Sequence, residues 1–431
     1  MTDKKKIYKP RPISGFPEWL PEERIIEQQW MDKIRAVYES YGYCNIETPI
    51  VEELDVIAAK GEDVDKEVYV LERLHKEDGD KEARLALHFD QTVPLARYTA
   101  QHFNDLTFPF KRYQMQKVWR GERPQVGRMR EFYQCDIDVI NIDQLPIHFD
   151  AEVASICYEA IEALDIGRVQ MRISNRKILM GLLDALDIEN KVEITRVIDK
   201  IEKITTEEYQ KLMQEHGATP AQISAIQTLI DCKDLSTLSP ANDDMKKGIE
   251  ELQFVMGQLS HLPDHAAVAD LSIVRGLDYY TGTVYETQLL DIPEFTGSVC
   301  SGGRYDDLAS SYINKKLPGV GISIGFSRLF DVLRQNGKIT TDKKSPADIL
   351  MVMPSEDMRQ QASDTARILR TRGYKVELSH GGKLKRQLAY AEKKGIPYVW
   401  FPPFEDGLAH EIKNMITGEQ INANPKDWTI K

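Results

Sequence analysis

Cysteine is scarce. The 431 residues hold five (Cys44, Cys135, Cys157, Cys232, Cys300), odd in number, far apart and never in C-x-x-C spacing. That excludes a disulfide framework or a zinc ribbon and suits a reducing cytoplasm. Long apolar runs are missing too: no stretch approaches the ~18–20 residues of a membrane span. The charged opening Met1-Thr-Asp-Lys-Lys-Lys6 has no apolar segment behind it, so no secretory signal is expected. Basic charge is in deficit, with 56 Lys and Arg against 68 Asp and Glu, a net charge of −12. That argues against a chain coated in basic nucleic-acid-binding surface and leaves room for a local basic patch. No P-loop or H-E-x-x-H motif occurs.

What remains is an ordinary globular composition, 42% apolar and 29% charged, long enough for two to four domains. The first helix opens on Pro21-Glu-Glu23 and carries Ile26, Trp30, Ile34, Val37 and Tyr41 at spacings of three and four, with Gly42 as its stop. Residues 43–51 read as extended. Two strands around a Gly/Pro/Arg-rich loop are expected over 110–140, then a helix through Val153, Ile156, Ala160 and Leu164, then a strand at Val169, Met171 and Ile173. The stretch 175–264 turns helical and Lys/Glu-rich, as an insertion would. Strand character returns at Val268 and continues to Gln288. A linker by composition (335–346) precedes alternating strands and helices, which imply a small parallel sheet covered by helices.

Four segments could carry chemistry. The loop Arg120-Gly-Glu-Arg-Pro-Gln-Val-Gly-Arg-Met-Arg130 packs four arginines into eleven residues, and guanidinium forks match phosphate oxygens. In the strand behind it, period-two alternation places Phe132, Gln134, Asp136 and Asp138 on one face, which either meets water or lines a pocket. Arg275-Gly-Leu-Asp-Tyr-Tyr280 sets a cation beside two hydroxyls, although tyrosines in strands are commonly just packed. Ser301-Gly-Gly-Arg-Tyr-Asp306 brings backbone close to a ligand or simply makes a tight turn. Gly319-Val-Gly-Ile-Ser-Ile-Gly325 has G-x-G-x-x-x-G spacing and no acidic residue ~20 positions on, so it is not a dinucleotide fingerprint. A strand running into a helix with Arg328 in its first turn is expected there. His261 and His265 stand four apart, but Pro263 between them and the lack of a third ligand argue against a metal.

In this order, the segments resemble the class II aminoacyl-tRNA synthetases, and among them the histidyl-tRNA synthetase family. Glu47-Thr-Pro-Ile-Val-Glu52 is similar to the end of motif 1, 110–140 to motif 2 and 319–333 to motif 3. Arg275–Tyr280 and Gly302-Gly-Arg-Tyr-Asp306 are similar to segments particular to that family. The resemblance implies an α/β (α+β) chain: an antiparallel-sheet catalytic core (1–174 and 265–334), a helical insertion (175–264), a linker (335–346) and an α/β anticodon-binding domain (347–431). It implies ATP as substrate, magnesium carried on the ATP phosphates with no protein-held metal, and L-histidine and its tRNA as partners of a cytoplasmic homodimer.

By the same resemblance, Asp90, Gln91 and Thr92 hold the α-amino group of histidine, and Gln134 and Asp138 hold the bound amino acid, Asp138 accepting from the imidazole N–H. Arg120 meets the α-phosphate of ATP, and Arg275 takes the place of a catalytic metal there. Tyr279, Tyr280 and Tyr305 belong to the histidine pocket, and Arg328 to the nucleotide. His88 and Gln91 depart from the family pattern of arginine and leucine, and Ser14-Gly-Phe-Pro-Glu-Trp19 replaces its N-terminal segment. The rival is a non-catalytic paralogue that binds histidine to regulate its biosynthesis. Such paralogues usually lack the C-terminal domain and part of the arginine set, both present here.

Overall fold

The computed structural model describes residues 8–58, 67–73, 84–274, 280–306, 309–310, 312–340, 343–403 and 408–430. Two compact units form, one of Met1–Pro17 with Met31–Lys338 and one of Glu18–Trp30 with Ile339–Lys431.

Helix α1 (Pro21–Ser40) starts at the expected proline and ends before Gly42, whose φ of 77° needs no Cβ penalty. Strand β1 (Cys44–Asn45) follows, then β2 (Val51–Glu53), helix α2 (Leu54–Ala58), β3 (Val70–Leu71) and β4 (Leu85–Leu87), with β2, β4 and β3 making a small antiparallel sheet. Helix α3 (Thr92–Gln101) leads to the motif 2 strands β5 (Phe110–Trp119) and β6 (Glu131–Ile140). Helix α4 (His148–Glu162) and β7 (Val169–Asn175) come next. The insertion is five helices, α5 (Arg176–Ala185), α6 (Lys191–Ile198), α7 (Thr206–Glu215), α8 (Pro220–Ile230) and α9 (Asp243–Gln258). Its caps were written in the sequence: Asn175, Thr205 and Asn242 each accept a backbone N–H, and Thr219-Pro220 forms a reciprocal capping box with Gln222. Strands β8 (Ala267–Ala269), β9 (Tyr280–Leu289), β10 (Cys300–Tyr305) and β11 (Gly319–Ile324) complete the large sheet, and β11 runs into α10 (Phe326–Gln335) as expected.

That sheet has eight strands in the order β1-β5-β6-β11-β10-β9-β7-β8. The six inner strands are mutually antiparallel, and only the two edges pair in parallel. One face is apolar: Ile137, Val139, Val320, Ile322, Ile173 and Tyr285 are buried, with α4 packed on that side. The hydroxyl of Tyr38 donates to the carbonyl of Cys135 at 3.1 Å, fixing α1 to the same layer. Directly opposed residues share a face, so the opposite face follows from register. It carries Gln116 beside Gln134, then Gln114, Asp136 and Ser323 in a row, then Arg112, Asp138 and Gly321 in the next.

In the second unit, β12 (Ile349–Met351), α11 (Arg359–Thr371), β13 (Val376–Leu378), α12 (Leu384–Lys394) and β14 (Tyr398–Phe401) give the expected parallel sheet, β13-β12-β14. An antiparallel hairpin of β15 (Glu411–Asn414) and β16 (Gln420–Asn422) extends it. The core around Trp400, Ile349, Met351 and Leu369 is its own.

Candidate active site

The polar face of β5 and β6 is built against Thr48, from the motif 1 segment. Gln114 Nε2 donates to Thr48 Oγ1 at 3.0 Å and to Gln116 Oε1 at 2.6 Å, while Gln116 Nε2 donates to the Thr48 carbonyl at 2.8 Å. Arg112, fully buried, donates from Nη1 to Gln114 Oε1 at 3.4 Å and places Nη2 2.6 Å from Asp138 Oδ2. The other oxygen of Asp138 accepts from the Tyr305 hydroxyl at 3.0 Å. Two strands and a third therefore clamp one carboxylate. A buried charge with partners on both oxygens holds one orientation, and removing a partner from such a pair costs about 3–5 kcal/mol.

Glycine makes that clamp possible. Gly319 and Gly321 lie on β11 beside Tyr305 and Asp138, and a Cβ at either position would overlap the tyrosine ring or the carboxylate. The Gly302-Gly303 pair likewise sits inside β10, against β11 and Tyr280, instead of in a turn. Close approach is the reading that holds. The arginine of that motif is structural: Arg304 is buried and pairs with Asp150 of α4 through Nη2 at 2.5 Å, while Nη1 donates to the Leu145 carbonyl at 3.0 Å.

Asp90 precedes α3 and accepts from the Val93 N–H at 3.0 Å, placing a buried carboxylate at a helix N-terminus. Thr92 opens that helix, half-buried. Gln91 is fully buried, and its amide nitrogen donates to the carbonyls of Gln116 and Gln134 at 2.9 and 3.1 Å. It thus ties the ends of β5 and β6 together, leaving its Oε1 buried without a partner. His88 is equally committed, with Nε2 2.7 Å from the Lys117 carbonyl and its ring beside Trp119. Burial lowers its pKa, so the neutral ring donates there.

Gln134 links the two halves of the site. Its Nε2 donates to Ser323 Oγ at 2.6 Å, and it also lines a cleft with Arg120, Arg128 and Arg328. Arg120 lies over the Phe132 ring at 5.2 Å and donates from Nε to the Phe89 carbonyl at 3.1 Å. Arg328 donates to the carbonyls of Gly127 and Ser298, both at 2.8 Å, and so holds the arginine-rich loop against the β9–β10 turn. Tyr280 pairs with Tyr305 across β9 and β10. Arg275 and Tyr279 lie outside the described residues.

The structure thus brings Asp90, Gln91, Thr92, Gln134, Asp138, Tyr305, Tyr280, Arg120 and Arg328 onto one side of one sheet. Arg112, Gln114 and Gln116 were missed, and Asp136 was placed on the polar face without a role. Their signal was present, since 112, 114 and 116 alternate as a polar stripe like that of β6. Burial pushes Asp136 up to about 7 and Asp138 up to about 6, against the opposing pull of Arg112. Among the described residues no cluster of three or more His, Cys, Asp or Glu could hold a metal ion. Nor is any helix there long and apolar enough to cross a membrane.

The family model for histidyl-tRNA synthetase matches residues 15–329. A histidine–tRNA ligase of Thermobifida fusca (strain YX) is 49% identical, the alignment covering 98% of this chain and 99% of that protein. One from Micrococcus luteus is 44% identical, covering 97% and 95%. The crystal structure of histidyl-tRNA synthetase from Nostoc sp. PCC 7120 superimposes with a TM-score of 0.88 at 38% identity, covering 97% of each chain.

Proposed function

Because this chain belongs to the histidyl-tRNA synthetase family, we propose that its two adjoining half-sites activate histidine with ATP and pass it to tRNA. The activity is the ATP-dependent charging of tRNA with histidine. The observation that carries it is the polar face of β6, which runs from Gln134 in an arginine-walled cleft to Asp138 in a buried clamp. One half suits a polyphosphate, the other an amino acid with an N–H on its side chain.

Histidine enters with its ammonium group toward Asp90, Thr92, Gln91 Oε1 and Gln134 Oε1, and its imidazole N–H toward Asp138. Tyr279, Tyr280 and Tyr305 wall the ring. ATP enters as its magnesium complex, the metal travelling on the β- and γ-phosphates. The histidine carboxylate attacks the α-phosphorus, a new O–P bond forms, and the bond to pyrophosphate breaks. Anion meets anion in that step, and the role of neutralising the charge gathered at the five-coordinate phosphorus falls to Arg120 and, by the family resemblance, to Arg275. Arg328 holds the nucleotide and the loop over it. A terminal ribose hydroxyl of the tRNA then attacks the activated carbonyl, and AMP leaves. No protein nucleophile is required. The enzyme works in the cytoplasm as a homodimer with its cysteines reduced, the motif 1 segment contributing to the interface.

The C-terminal unit holds the anticodon arm. Between Arg367 and Lys394 there are nine basic residues against two acidic ones. Arg370 and Arg372 are committed to the carbonyls of Val376 and Pro425; Lys383, Lys385 and Arg386 are exposed, as is Arg367, which pairs with Asp364 at 2.8 Å. Phosphate contacts by such side chains release counterions and make binding salt-dependent. Reversing Arg367, Lys383 and Arg386 to Glu is expected to raise the KM for tRNA by about tenfold or more at low salt and to flatten its salt dependence. Histidine-dependent pyrophosphate exchange should persist in the same protein. Charging of tRNA with labelled histidine tests both the activity and the patch: unaltered charging by the folded triple variant would leave the patch a solvated surface, and no charging by the parent chain would refute the function.

A further inference from the structure

The two rows of the polar face beyond Gln134 hold two carboxylates and one guanidinium. Asp136 and Asp138 are 4% exposed and Arg112 is fully buried. Arg112 faces from β5, and Tyr305, a neutral phenol, faces from β10. Ser323 faces from β11, in register with Asp136, and Asp90 bears on both aspartates from the segment before α3. Tyr43 bears on Asp138, and Tyr38 and Cys300 bear on Asp136, each held neutral by burial. Of the two aspartates Arg112 pairs with Asp138, and Asp136 keeps one oxygen, Oδ1, buried without a hydrogen-bond partner. On the reading above, Asp90 answers the ammonium group of the substrate. The ring pocket is then left one negative charge in excess, with an orphan acceptor beside a clamped one.

Resting on that reading, we propose that histidine is bound with its side chain as imidazolium, one ring N–H donated to Asp138 and the other to Asp136. A neutral imidazole has one donor and one acceptor, and its acceptor nitrogen would meet a second buried carboxylate. The protonated ring offers two donors and cancels the excess charge. Asp136 is therefore a specificity-determining residue, and Arg112 a positioning residue that fixes Asp138.

The sign of the pH dependence follows. The free ring titrates near pH 6.5, and burial raises Asp136 to about 7. Near pH 8 both partners therefore enter without that proton, and the complex must take one up. Affinity for histidine then falls as pH rises, approaching about tenfold per unit. Below pH 6.5 the free ring and Asp136 both carry a proton, so binding releases one and the dependence reverses.

Titration calorimetry of the full chain with L-histidine, at pH 7.0 to 8.5 in phosphate and in Tris, reads the uptake directly from the difference in observed heat. Expected is an uptake approaching one proton at pH 8, with NMR of bound ¹⁵N-histidine showing both ring nitrogens protonated. Asp136→Asn should lose the uptake and flatten the pH dependence across this range. Binding by the parent chain without a buffer-dependent heat, or a bound ring with one bare nitrogen, overturns the proposal and leaves the function standing. Failure of histidine to bind the parent chain at all overturns the function on which the proposal rests.

Discussion

Asp138→Ala is expected to lower kcat/KM for histidine by about 10⁴–10⁵, the range by which a site built to pair a substrate N–H loses selectivity when the pairing goes. The structure explains why the effect should be so large. The carboxylate is held by Arg112 at 2.6 Å and Tyr305 at 3.0 Å, so it arrives at the substrate already oriented, with no rearrangement to oppose binding. Truncation removes the acceptor and also strands the Arg112 guanidinium in a buried pocket, a separate cost of about 3–5 kcal/mol in stability. Asp138→Asn separates the two effects, because it keeps the volume and an acceptor oxygen while removing the charge. ATP binding, measured on the same folded proteins, should change little, since Asp138 lies outside the arginine-walled cleft. A near-normal KM for histidine in Asp138→Ala would contradict the assignment.

The second large effect belongs to the arginines. Arg120→Ala and Arg275→Ala are each expected to slow adenylate formation by about 10²–10³ or more, the scale of losing one group that stabilises developing charge. For Arg120 the geometry supports a role at the phosphate. Its Nε is tied to the Phe89 carbonyl and its plane lies over Phe132, so the fork of Nη1 and Nη2 is what the cleft offers a phosphate. The dissociation constant for histidine should move much less than the rate. Single-turnover measurement of adenylate formation distinguishes the two, and an unchanged rate in either variant would remove that residue from the chemistry.

How much of this was legible in the sequence depended on how local the signal was. Gln134 and Asp138 could be placed on one face because strand alternation is a property of consecutive residues. Thr219-Pro220 and Asn242 cap insertion helices within one turn, a local signal of the same kind. The clamp on Asp138 was not legible, because it depends on pairing. Arg112 and Tyr305 reach it from other strands, and nothing short of the β5-β6-β11-β10 register says that they should. Gly302 and Gly303 could equally have been a turn. Only contact with β11 and Tyr280 shows that the missing side chains are what lets the strands and the pocket close up. Arg304 pairs with Asp150 across 154 residues of chain, a separation at which composition and spacing carry no information. The β15–β16 hairpin did leave a local trace. Asn414 accepts from the N–H groups of Ile416 and Thr417, and Gly418 takes a φ of 78°, a turn whose residues stand plainly in Asn-Met-Ile-Thr-Gly.

One measurement decides whether the pocket on β6 reads histidine and the cleft beside it reads ATP. Exchange of labelled pyrophosphate into ATP, run with each of the twenty amino acids in turn and without tRNA, requires both half-sites and nothing else. Exchange with histidine alone, lost in Asp138→Ala and in Arg120→Ala, is the predicted result. Exchange driven by another amino acid, or none with histidine in a folded protein that binds both ligands, would contradict it.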